Sequence, residues 1–99
     1  MAVDFYNIGD TNRHNCLFSI NIKDFELFEK ALIEFHISTG LCIDPYGTTR
    51  LYKGHVALIR RLLQDALVSK NITKENSKVL TVILEQFIKF DIDLLIVGD

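Results

Sequence analysis

The chain is short of everything that would brace it from outside its own core. Its 99 residues include one proline, five glycines, two cysteines and no tryptophan. So little Pro and Gly leaves no room for a flexible or proline-rich linker, and one domain over 1–99 is expected. The cysteines, Cys16 and Cys42, form no CxxC pair and have no His/Cys cluster beside them. They are expected to be reduced and partly buried, with a disulfide between them as the alternative.

Long apolar runs are also missing. "DLLIVG" and "VLTVILEQF" fall far short of the roughly 20 apolar residues a membrane span needs. The opening "MAVDFYNIGDTNRH" has no basic segment followed by an apolar one, so it does not read as a secretory signal. A cytoplasmic protein with no membrane partner is expected.

Catalytic and ligand motifs are missing too. GxGxxG, GxxxxGK[ST], GxSxG and HExxH do not occur. His14, His36 and His55 form no metal-ligand pattern with one another, with a cysteine or with a carboxylate. No metal, cofactor or catalytic set is expected. A Cys42–His55 pair or an Asp91–Asp93 pair would have to be assembled by the fold, and nothing local favours either.

What is present is an ordinary globular composition, 48% hydrophobic and 24% charged, with a net charge of −2. That small net charge hides a segregation. Residues 50–78 hold seven basic against two acidic side chains, whereas 1–49 sum to −4 and 79–99 to −3. The acidic ends suit a basic partner and the basic middle an acidic one. The alternative is that the segments neutralise one another on folding.

Periodicity outlines the elements. "CLFSINI" alternates, with Phe18, Ile20 and Ile22 on one side, as a half-buried strand does. Asp24 is then a candidate N-cap for one helix ended by Gly40. Its inner arc is Phe25, Phe28, Ala31, Leu32 and Phe35; Glu26, Glu29 and Glu34 face out. "DPYG" has the composition of a type I turn, with Gly47 free to take a positive φ. It predicts a β-hairpin over 41–52, with Leu41, Ile43 and Leu51 inward and Arg50 and Tyr52 outward. A second helix follows, with Val56, Ile59, Leu62, Leu63, Ala66 and Leu67 on one face, ending at Asn71. Thr73 is placed to cap a third, whose apolar face runs from Val79 to Ile88. "IDLLIV" closes the chain as a central strand covered by helices. The expected fold is α+β, or a small α/β domain. About three helices pack on a small sheet containing the hairpin, in the order β-α-β-β-α-α-β.

One block concentrates contact-making side chains. In "LCIDPYGTTRLY", Asp44, Tyr46, Arg50 and Tyr52 are the residue types that dominate interfaces. They could equally hold the turn, Asp44 pairing with Arg50 while Tyr52 packs on the next helix.

The block "FHISTGLCIDPYGTTRLYKGHVALIRRLL", an apolar helix after it and the terminal "LLIVGD" resemble small bacterial immunity proteins of polymorphic toxin systems. More narrowly they resemble those of contact-dependent growth inhibition. The resemblance covers about the last two thirds of the chain. It implies a non-catalytic protein that binds a cognate toxin domain and occludes its active site. Such toxins are often nucleases, including RNase A-like ribonucleases, whose active sites are basic. The acidic surfaces would then meet the toxin: Asp24, Glu26, Glu29 and Glu34, or Asp91, Asp93 and Asp99. The alternatives are a nucleic-acid-binding or regulatory module using the basic segment 50–78, or a small ligand-binding domain or enzyme. Nucleic acid is the weaker expectation, because no aromatic residue interleaves with the bases and no module signature is present.

Overall fold

A computed structural model describes residues 2–98. Its elements are β1 (Ala2–Asn7), β2 (Phe18–Asn21), α1 (Ile22–Ala31), α2 (Ile33–Thr39), β3 (Thr48–Leu51), α3 (Lys53–Leu67), α4 (Lys74–Lys89) and β4 (Leu94–Val97). The strands form one antiparallel sheet in the order β2-β1-β4-β3. The α+β class stands, with four helices rather than three.

β1 was not anticipated, yet it is a central strand. "AVDFYN" alternates, and Val3 and Phe5 are fully buried. Their face of the sheet also carries Ile20, Leu51, Leu94 and Ile96. These join Phe25, Phe28, Phe35, Ile59, Leu63 and Phe87 of the helices in one hydrophobic cluster. All four helices therefore cover one face, and β4 is central without helices on both sides. Side chains of the other face include Asp4, Tyr6, Thr48, Arg50, Leu95 and Val97.

The first predicted helix is two helices. Asn21, not Asp24, is the N-cap: the Asp24 N–H donates to Asn21 Oδ1 at 2.8 Å, and Asn21 Nδ2 donates to Asp24 Oδ2 at 3.1 Å. The helix stops at Leu32, whose N–H bonds Glu29 O in a tightened i−3 contact. α2 restarts at once and ends at Gly40, in the left-handed region at φ 69°. The break lets Phe25 and Phe28 on one segment and Leu32 and Phe35 on the other all reach the core. α3 stops at Leu67 rather than Asn71. Thr73 caps α4 as expected, accepting from Asn76 N–H at 3.1 Å. Ile88 is turned away from the core and 47% exposed.

The predicted hairpin is absent. Residues 41–44 form no strand, and β3 pairs instead with β4, in the register Thr49↔Ile96 and Leu51↔Leu94. Asp44-Pro45-Tyr46-Gly47 is still a turn. Asp44 Oδ1 accepts from Tyr46 N–H at 2.8 Å. Gly47 does not use a positive φ. The turn is fastened to the end of β4 by Gly98 N–H donating to Gly47 O at 2.7 Å.

The β1–β2 connection is organised by Asp10. Its Oδ1 accepts from His14 N–H at 3.1 Å and its Oδ2 from Asn15 N–H at 2.9 Å, while Arg13, just before them, takes φ 57°. Those N–H groups hold the Asp10 carboxyl below the usual aspartate range. Its contribution to loop order is therefore complete above that range and is lost as pH falls through the lowered value. Asp10→Ala is expected to speed amide exchange at His14 and Asn15 while leaving exchange in β4 unchanged. Unchanged exchange at both loop amides would refute this role.

Candidate functional site

The sequence-predicted contact residues do not converge on one patch. Asp24 lies at the start of α1, by a groove of about 300 Å³ between edge strand β2 and α4. That groove, floored by Phe18, Ile20, Val79 and Ile83, was not anticipated, because its two walls are some 60 residues apart in sequence. Asp91 and Asp93 lie beyond the opposite end of α4. Lys78 beside Asp24 and Asp91 are 13 residues apart, about 20 Å along a helix axis. The two acidic ends are thus separate surfaces. Asp99 lies outside the described residues.

The C-terminal acids are engaged within the fold. Asp91 Oδ2 is 3.5 Å from Arg60 Nη1, the one ion pair among the described residues. Asp93 Oδ1 accepts from Lys53 N–H at 2.6 Å, satisfying a free donor at the N-terminus of α3, where the helix dipole favours an anion. Ile8 N–H bonds the Asp93 carbonyl at 3.1 Å, tying β1 to the same point. Part of the basic middle is thereby neutralised by the acidic C-terminal segment.

The α1–α2 acids are different. Glu26 and Glu34 are exposed, Glu29 is half-buried, and none has an ion-pair partner among the described residues. Asp44 does not pair with Arg50; it serves its own turn.

Tyr46 and Tyr52 flank edge strand β3 and are 65% and 53% exposed. Each stands on a fixed backbone. Tyr46 sits in the Asp44 turn, and Tyr52 is the N-cap residue of α3, its N–H donating to His55 Nδ1 at 3.2 Å. Arg50 is exposed between them on the sheet face away from the helices. The Gly98–Gly47 bond sets the hydrogen-bonding phase of the β3–β4 ladder. Thr49 and Leu51 bond β4, and the backbone N–H and C=O of Thr48 and Arg50 point to the free edge.

α2 abuts this end. The Phe35 ring meets the His55 ring edge-on at 5.9 Å, and Tyr52 lies 6.0 Å from His55. α2 is about 10 Å long, and its Ile33, Glu34 and Ile37 are exposed. His36 and His55 serve the framework. His36 Nδ1 bonds Leu41 O at 2.8 Å, and His55 accepts the Tyr52 N–H. Cys16 and Cys42 are free and exposed, not partly buried: neither side chain points into the core cluster.

On the helix-free sheet face, Tyr6 is largely buried beside Leu95. Desolvation first, and then the Asp4 carboxylate, raise its phenol above the usual tyrosine range. Asp4 accepts the Ser19 hydroxyl at 2.6 Å. Among the described residues no three His, Cys, Asp or Glu side chains are grouped to hold a metal ion, and no helix is long and apolar enough to cross a membrane.

No family model, curated protein or solved structure matches the chain.

Proposed function

We propose that the chain is an immunity-type inhibitor that binds a cognate toxin domain, a basic nuclease being the best fit, and covers its active site without catalysis of its own. One observation carries the reading: Tyr46 and Tyr52 are exposed at the two ends of edge strand β3, each on backbone held by a side-chain hydrogen bond. Aromatic anchors on fixed backbone lose little entropy on binding and bring large contact area. Arg50 lies between them, and α2, which packs on α3 through Phe35 and His55, carries the unpaired carboxylate of Glu34. Glu26 and Glu29 of α1 extend the acidic side for a partner that grips phosphates. The engaged Asp91 and Asp93 contribute to α3 and its neighbours rather than to contact. A nucleic-acid reading draws less support, because Arg60 of the basic middle is taken by Asp91.

The test is inhibition of the toxin domain encoded beside this chain. Wild-type protein should abolish its activity in a 1:1 complex. Tyr46→Ala and Tyr52→Ala should each weaken the complex by about 30-fold, the size of a hot-spot loss near 2 kcal/mol. Circular dichroism should stay unchanged, because neither side chain packs in the core cluster. Toxin activity unaffected by wild-type protein would overturn the proposal. Full inhibition by the Tyr46→Ala/Tyr52→Ala double variant would move the interface elsewhere.

A further inference from the structure

The outer face of α4 carries a pattern that neither the core nor the proposed inhibitory surface uses. Directly opposite its buried side of Leu80, Ile83, Leu84 and Phe87 runs a stripe of Glu75, Lys78, Val82, Glu85 and Lys89. Their spacing is 3-4-3-4, which keeps all five on one side of the helix over about 21 Å. All five are exposed, Val82 at 57%. None of the four charges is ion-paired among the described residues, although i,i+3 and i,i+4 partners are within the same stripe. Lys89 rests over the Phe90 ring, 5.3 Å from its centroid.

The order of charges reads the same in reverse with the signs exchanged. Laid antiparallel on a second copy about Val82, Glu75 meets Lys89, Lys78 meets Glu85, and Val82 meets Val82. A two-fold contact uses the same patch twice, so this is the one arrangement in which every position finds its opposite. A parallel alignment would set like charge on like. Beside Val82 lies the groove between α4 and β2, about 300 Å³, whose apolar wall of Phe18, Ile20 and Val79 would be covered from the same side.

We infer that α4 is a homodimer surface: two copies associate through antiparallel α4 helices centred on Val82, with four interchain ion pairs around an apolar centre. The contact lies on the sheet-edge side at β2, whereas Tyr46 and Tyr52 flank the other edge strand, β3. A dimer therefore leaves Tyr46 and Tyr52 of both copies free.

The test is sedimentation equilibrium on the full chain and two charge variants at exposed positions. Glu75→Lys/Glu85→Lys makes the stripe wholly basic, and Lys78→Glu/Lys89→Glu makes it wholly acidic. Wild type should dimerise, and more weakly as salt is raised. Each variant alone should self-associate at least about tenfold less, because every cross-helix pair becomes repulsive. An equimolar mixture of the two variants should recover a 1:1 heterodimer. Monomeric wild type at its highest soluble concentration overturns the inference. So does dimerisation of either variant at wild-type strength, or a mixture that fails to associate. None of these results bears on toxin inhibition, which is read in a separate assay.

Discussion

Phe87→Ala is expected to cost about 3–5 kcal/mol of folding stability, the loss that follows truncation of a fully buried aromatic ring. Phe87 is where four elements meet. Its ring is stacked on Phe28 of α1 at 5.6 Å. It meets Phe5 of β1 edge-on at 5.7 Å and Phe18 of β2 edge-on at 5.5 Å. No single neighbour can collapse into the space, because each is held by a different element. A small domain has about 5–15 kcal/mol in total, so this one change removes a large share. Urea unfolding followed by circular dichroism measures it, as a lower midpoint at unchanged slope. A double-mutant cycle between Phe5 and Phe87 should return about 0.5–1.5 kcal/mol for the edge-on pair itself. A loss below about 1 kcal/mol for Phe87→Ala would mean that the cluster is not packed as described.

The second large effect is expected at Gly98. Its backbone crosses so close to the Asp44–Gly47 turn that an added Cβ would overlap the Pro45 carbonyl and lie 2.7 Å from Tyr46 N. Both sides of that contact are main chain, so no side-chain rotamer can relieve it. Gly98→Ala must push the turn off β4 and stretch the bond from Gly98 N–H to Gly47 O. The expected cost is about 1–3 kcal/mol, the range for forcing extra volume into a packed site. Thermal unfolding should show it as a drop of about 4–8 °C per kcal/mol. Gly54→Ala is the control. Gly54 lies in the first turn of α3 with nothing within 4 Å of an added Cβ, so that change should be neutral or stabilise by up to about 1 kcal/mol. Equal effects from the two glycines would remove the backbone-contact account. Because the same turn carries Tyr46, Gly98→Ala should also displace that side chain, which the proposed inhibitory reading would register as weaker binding.

These two residues divide between them what was legible in sequence. Phe87 stood in a plain helical stripe, so its burial followed from period alone. Gly98 follows β4 in the string "LLIVGD", and nothing in that string says which loop it must pass. Of the proposed contact residues, Tyr46, Arg50 and Tyr52 could be singled out by residue type, and they do lie exposed. Asp91 and Asp93 could not be told from free surface acids. Their partners, Arg60 and the Lys53 N–H, are 31 and 40 residues away in sequence. The α4 stripe was open to view as spacing, but its meaning depends on which side of α4 the core takes.

Local order in the sequence determined three helical stretches, the caps at Thr73 and Gly40, strands around 18–21 and 94–97, and most of their inward residues, Ile88 excepted. These depend on side-chain period and short-range hydrogen bonds, which adjacent residues encode by themselves. Strand partnership was decided only by the tertiary structure. Residues 41–43 are apolar enough to pair with 48–51. β3 gains more against β4, where Leu51 and Thr49 fall in register with buried Leu94 and Ile96. β1 becomes central only because β4 returns beside it from the far end of the chain, Asp4 opposite Val97. The break at Leu32 has the same cause. The apolar arc runs through it without interruption, and the helix breaks because Phe25 and Phe28 before it and Phe35 after it must reach one core from two directions. A ladder between distant segments is chosen by the total burial it permits, and that sum exists only once the chain has closed on itself.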